Sequence, residues 1–195
     1  MATGSTSVVT PQRFAQGLSY EQFLAQAKVN VDLFKRWYQE FQLAPEDAAF
    51  FRRAVEAGAT RVLALGEDWC PDVYRGLPVM ARIAEAAGME LRVFPRDANL
   101  DIMDQFLNQG QYRSIPTFVF YTDQQEYLGH WIERPRLANE ERARIEAEVK
   151  RELAGASDQE VRAEVRKRTQ ARYPAWQQAT VQELRELLAG RLGVR

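Results

Sequence analysis

Apolar residues recur at helical spacing through Phe23, Ala27, Val31, Phe34, Trp37, Tyr38 and Phe41, which predicts one long amphipathic helix. Ser19-Tyr-Glu-Gln22 has the form of a capping box at its start, and Leu43-Ala-Pro45 ends it. Before it, Met1 to Gln12 is small and polar without periodicity and reads as a frayed start. Pro45 opens a second helix through Ala49, Phe50, Arg53 and Val55, with Gly58 as its stop. The period then changes. Val62 to Leu65 is a short continuous apolar run, the pattern of a strand buried on both faces. From Pro71 to about Ala87 the helical spacing returns, burying Leu77, Met80, Ala81, Ala84 and Ala87 and closing on Gly88; Pro78 inside it predicts a kink. Leu91 and Val93 alternate with Glu90 and Arg92 in a second strand. A short helix capped by Asn99 or Asp101 follows, running through Ile102, Met103, Phe106 and Leu107 to Gly110. Thr117 to Tyr121 and Glu126 to Ile132 make a hairpin around Asp123-Gln-Gln125.

Beyond Pro135 the character changes. Leu137 to Leu153 is helical, with Ile145 and Val149 on one face and opposite charges such as Glu140 with Arg144 and Glu146 with Lys150 one turn apart. Ser157-Asp-Gln-Glu160 is a second capping box, opening a helix whose buried stripe is only Val161, Val165 and alanines. After Pro174 a last helix carries Trp176, Val181, Leu184, Leu187, Leu188 and Leu192. The weakly apolar middle helix must project into solvent or lie against something, and a partner subunit is one candidate. This predicts a helical extension over 1–58 packed on the core, a core over 59–135, and a C-terminal helical extension over 136–195 that offers an interface for a homo-oligomer.

At 195 residues the chain has room for one domain with appendages and a sizeable core. Its 26 basic and 27 acidic residues give a net charge of −1 and are intermixed, which argues against nucleic-acid or membrane-surface binding by bulk charge. One cysteine and one histidine exclude an internal disulfide and make a dedicated zinc site an unsuitable expectation; no metal or other cofactor is expected. No apolar run has the length of a membrane span, and no basic-then-apolar leader precedes Pro11. A cytoplasmic protein is the expectation.

The candidate chemistry centres on Cys70. In Arg61-Val-Leu-Ala-Leu-Gly-Glu-Asp-Trp-Cys-Pro-Asp-Val73 the lone cysteine falls where a central strand hands over to a helix, just before a proline suited to the first helical turn. Unpaired N–H groups and the positive end of the helix dipole there stabilise a thiolate, so a thiol pKa below the free value of about 8.5 is expected. Glu67, Asp68 and Asp72 oppose that shift. Further on, Ser114-Ile-Pro-Thr-Phe-Val-Phe-Tyr121 places a proline at the entry to an apolar strand, where the ladder tolerates it.

Trp-Cys-Pro at a strand-to-helix turn, followed at this distance by Ile-Pro-Thr-Phe, resembles the thioredoxin superfamily. More closely, it is similar to bacterial thioredoxin-like proteins with two leading helices and a Trp-Cys-x-Asp-Cys site. The resemblance covers Tyr20 to about Pro135 and implies an α/β fold, a thioredoxin-like α/β/α sandwich with a mixed, four-stranded sheet and extra helices at both ends. It implies Cys70 as the nucleophile, and a docking surface for substrate made by Trp69, Pro71, Asp72, Ile115 and Pro116. Pro116 would carry a cis bond to Ile115, whose backbone would pair with an extended partner strand. Two positions depart from the family. Its second cysteine corresponds to residue 73, here valine, and the buried aspartate of thioredoxin corresponds to residue 64, here alanine.

The functional expectation is a single-thiol thiol–disulfide oxidoreductase acting on a protein or a low-molecular-weight thiol or disulfide. The alternative is a redox-inactive binding module that holds a partner chain in the groove beside Pro116. His130 reads as a packing or surface residue, and Arg166-Lys-Arg168 with Arg172 as a solvated helix face rather than a phosphate stripe.

Overall fold

The computed structural model describes residues 7–195. A four-stranded mixed sheet in the order β2–β1–β3–β4 lies at its centre. β1 (Arg61–Gly66) pairs parallel with β2 (Glu90–Pro95) and antiparallel with β3 (Thr117–Tyr121), and β4 (Tyr127–Ile132) closes the far edge against β3. The sheet and its flanking helices are the thioredoxin-like architecture that the resemblance implied. β1 and β3 are buried almost throughout, as continuous apolar runs require, whereas β4 alternates.

The start of the chain differs from its expected frayed form. Residues 1–6 lie outside the described residues, but Pro11–Ala15 is a helix, α1, capped by the Thr10 hydroxyl, which accepts from the Arg13 N–H. Val9 and Phe14 are buried. Leu18 then exchanges two backbone hydrogen bonds with Val93, at 2.9 and 2.8 Å, covering the outer edge of β2. Gly17 lets the chain come this close: a Cβ there would lie 2.4 Å from the Phe94 ring.

The single long helix expected after Ser19 is two, α2 (Tyr20–Gln26) and α3 (Val31–Glu40), although the capping box at Ser19 and Gln22 forms as read. The break is held from a distance. Asp68 Oδ2 accepts from the N–H groups of Lys28 and Val29, at 2.6 and 3.3 Å, and the Asn30 amide donates to the Asp68 carbonyl at 2.9 Å. Asn30 takes a left-handed conformation there. The apolar period runs straight through this loop, so it gives no sign of the break.

Next come α4 (Pro45–Glu56) and α5 (Pro71–Ala87), the latter closed by left-handed Gly88 and continuing as helix past Pro78. α6 is shorter than read, Leu100–Met103. Asn99 takes its N-cap position, as one of the two expected caps, but its side chain is used elsewhere: its amide donates to the Pro95 carbonyl and its oxygen accepts from Arg13. Asn108 and Tyr112 then close a separate turn.

At the C-terminus, α7 (Arg136–Glu152) is followed by one helix, α8 (Asp158–Leu192), of 35 residues, in place of the two expected on either side of Pro174. A proline inside a helix removes a hydrogen bond and costs about 3 kcal/mol. Burial on both sides of it offsets that cost, with Tyr173 before it and Trp176, Val181, Leu184 and Leu188 after it. The first half of α8 lies against α7 of its own chain, tied by Arg168 to Glu152 and by Arg172 to Glu141. The second half covers β4, α4 and α5.

Burial pushes the phenols of Tyr20, Tyr121 and Tyr173 well above their ordinary value. The folded state therefore holds these protons more tightly than the unfolded chain. Their stabilising contribution is full below about pH 10 and is lost as pH rises through the raised folded values. The urea midpoint should fall between pH 8 and pH 10.5, and less steeply in Tyr121→Phe. An alkaline limb identical in the two proteins would show that Tyr121 does not contribute.

Candidate functional site

β1 ends at Gly66, where a Cβ would lie 2.8 Å from Val73 Cγ1. Glycine thus lets the first turn of α5 close onto the strand. The turn between them is anchored on both sides, by Asp68 to the 28–30 loop and by Glu67, which accepts from the Asp97 N–H at 2.8 Å. Cys70 is the N-cap of α5, with extended backbone, and Pro71 takes the first helical position, where its missing N–H is no loss.

Cys70 is 9 % exposed, and its sulfur sits 3.7 Å from the carbonyl oxygen of Ile115. The Ile115–Pro116 bond is cis. Pro116 in turn lies against α5, since a Cβ on Gly76 would meet its ring at 3.2 Å. Burial pushes the Cys70 thiol up; the Val73 N–H pulls it down by less, and the Asp72 carboxylate adds to the rise. The expected low thiol pKa is therefore reversed. Taking a thiolate out of water costs more here than the helix N-terminus returns.

Trp69, Cys70, Pro71, Ile115 and Pro116 lie at one end of the two central strands, where β1 finishes and β3 begins, and the Cys70–Ile115 contact joins the two segments. Trp69 is half exposed, with the Arg96 guanidinium 5.2 Å from its ring centroid. Asp72, expected on the docking surface, points inward instead. Its carboxylate accepts from Arg75 at 2.8 Å and from Arg134 at 3.1 Å, and Arg134 also pairs with Glu133. Arg75 is 1 % exposed and lies 5.5 and 5.3 Å from the ring centroids of Tyr173 and Trp176. Its Nε and second terminal nitrogen have no partner among the described residues. The three-residue spacing of Asp72 and Arg75 was a readable signal for half of this network. Nothing local points to Arg134, which arrives from beyond β4.

Val73 and Ala64 are fully buried, so both departures from the family place apolar core where a second thiol and a proton carrier would be. Val73 nonetheless lies one helical turn from Cys70, donating its N–H to the Cys70 carbonyl at 3.1 Å. Val73→Cys should therefore form an internal disulfide under mild oxidation, detected as a mass loss of two hydrogens and as protection from alkylation. Persistent free thiols in a folded variant would refute that placement.

A cleft of about 750 Å³ opens beside Trp69, Pro71 and Tyr74, walled by α7 and the first half of α8. The sequence reading missed it, because its two walls meet only in the folded chain. His130 is elsewhere, bonded to the Tyr127 hydroxyl at 2.6 Å and against Phe106, with burial lowering its pKa. Arg168 is ion-paired within α8 to Glu164, and Arg172 across to Glu141 of α7. No group of three or more metal-binding side chains is placed for a metal among the described residues, and no described helix is long and apolar enough to cross a membrane.

A family model described as thioredoxin matches residues 17–148. Two solved structures share the fold. One is a protein of unknown function from Pseudomonas aeruginosa, 16 % identical, with 93 % of this chain and 98 % of that one covered and a TM-score of 0.64. The other is an HIV epitope-scaffold, also 16 % identical, with 93 % and 99 % covered and a TM-score of 0.65. No curated protein matches the chain.

Proposed function

The chain belongs to the thioredoxin family, and from that premise we propose that it is a binding module, holding a partner chain along the edge made by Trp69, Pro71, Ile115 and Pro116 without dithiol chemistry. The observation that carries this reading is the state of Cys70. Its sulfur is buried against the Ile115 carbonyl, its pKa is raised, and Val73 fills the place of a second thiol. In this reading the cysteine helps shape the edge, and the exposed Trp69 ring supplies the contact area. The fold stands on a single cysteine and no disulfide, which supports a cytoplasmic setting.

Alkylation by iodoacetamide across pH tests it. The rate at pH 7 should be small and should rise with a midpoint above about 8.5. A midpoint below that value would overturn the reading.

A single-thiol exchange is the second reading, favoured by the Val73 and Asp72 N–H groups and the Arg134 charge, all of which act on the sulfur in the thiolate's favour. Deprotonated Cys70 would attack one sulfur of a partner disulfide, forming a mixed disulfide and expelling the other sulfur as a thiolate. A low-molecular-weight thiol would then displace Cys70 as the leaving thiolate. Reduction of a protein disulfide by dithiothreitol, accelerated by the wild-type chain but not by Cys70→Ser, would establish this reading in place of the first.

A further inference from the structure

The cleft beside Trp69 has a volume of about 750 Å³, inside the ~300–1,000 Å³ range of ligand sites. Its lining includes the aromatic rings of Trp69, Tyr74 and Tyr173 and the cations Arg142 of α7 and Arg162 and Arg166 of α8. Among the described residues these three arginines form no ion pair. Their neighbours between residues 136 and 172 behave differently: Arg136, Arg144, Lys150, Lys167, Arg168 and Arg172 each hold a carboxylate, and of the other cations in that stretch only Arg151 does not. Of the cleft's two acids, Glu146 is already taken by Lys150, which leaves Asp158. A chain with net charge −1 thus gathers uncompensated positive charge beside its docking edge. The wall formed by α8 lies beyond residue 148, outside the family match, so this cleft is a feature added to the family's core.

We propose that the cleft binds an acidic segment of a partner polypeptide, its carboxylates on Arg142, Arg162 and Arg166 and its apolar stem over Trp69 and Tyr74. Arg162 and Arg166 are separated by about one helical turn, roughly 6 Å along the axis, and Arg142 lines the same cleft from another helix. Charge spread in this way matches carboxylates strung along a chain better than one compact anion. The proposal rests on the binding-module reading and specifies the chemistry of its partner; the occupant extends from the Trp69 edge already described.

Isothermal titration of the full chain, carried in its Cys70→Ser form, with an N-acetylated Glu-Glu-Leu-Glu-Glu peptide tests it. Saturable binding is expected. It should weaken by at least about tenfold in Arg162→Glu/Arg166→Glu, because charged hydrogen bonds are lost and repulsion replaces them. Arg151→Glu/Arg191→Glu changes the net charge equally outside the cleft and should leave the affinity within about twofold. All four positions are exposed, and thermal unfolding confirms that each variant is folded. Absence of saturable binding, equal weakening in both double variants, or displacement by inorganic phosphate at equal strength would overturn the proposal, the last by pointing to a small-anion site. Because the thiol is absent from this experiment, its outcome is independent of the alkylation result that decides the role of Cys70.

Discussion

A chain ending at Gly155 should fail to reach the native state, giving a broad or absent thermal transition and an aggregation-prone product. The deleted residues include Trp176, which is 2 % exposed, and Val181, Leu184 and Leu188, which are fully buried. Burying each such side chain contributes about 1.5–3 kcal/mol, so together they approach the whole ~5–15 kcal/mol stability of a domain. The deletion also takes Arg185 from the buried Asp47 and both aromatic faces from Arg75. Leu184→Ala asks the same question of one side chain and should cost about 2–5 kcal/mol in urea. A truncated protein that stays soluble and melts where the full chain does would show that α8 adds nothing to the fold.

Asp72→Ala should be the most damaging single substitution near the site, costing about 3–5 kcal/mol, the usual loss when one partner of a buried ion pair is removed. Arg75 would keep its charge at 1 % exposure while losing its carboxylate, and two of its nitrogens already lack partners. Arg134 would retain only Glu133. A second readout moves at the same time. The Asp72 carboxylate helps to raise the Cys70 thiol, so the iodoacetamide midpoint should fall in the variant while staying above that of a free cysteine, because burial is the larger cause. Combining Asp72→Leu with Arg75→Met removes both charges and should cost less than Asp72→Ala alone. If the double substitution costs as much as or more than Asp72→Ala, the ion pair is not what holds this region together.

What the sequence determined by itself is what local chemistry decides. The apolar run of Val62 to Leu65 gives the central strand, Pro71 and Gly88 bound α5, and the capping boxes at Ser19 and Ser157 start their helices where they were read. The two spaced motifs identified the family and the cis bond before Pro116. Each of these signals lies within a few residues of the feature it governs, or in a motif kept together by the fold it specifies.

The tertiary structure decided the rest, because the decisive partner in each case lies far along the chain. The helix after Ser19 breaks at Asn30 because Asp68 collects the loop's N–H groups. Pro174 does not end α8, since burial of Tyr173 and Trp176 on either side holds the helix across it. Asp72 turns inward because Arg134 returns from the end of β4 to meet it. The Cys70 thiol is raised rather than lowered for a related reason: a helix N-terminus is visible in sequence, but the desolvation that outweighs it comes from Ile115 and the surrounding core. The cationic cleft exists only because α7 and α8 fold back over Trp69. Periodicity and caps are short-range physics, whereas desolvation and charge pairing depend on which distant side chains are brought into contact.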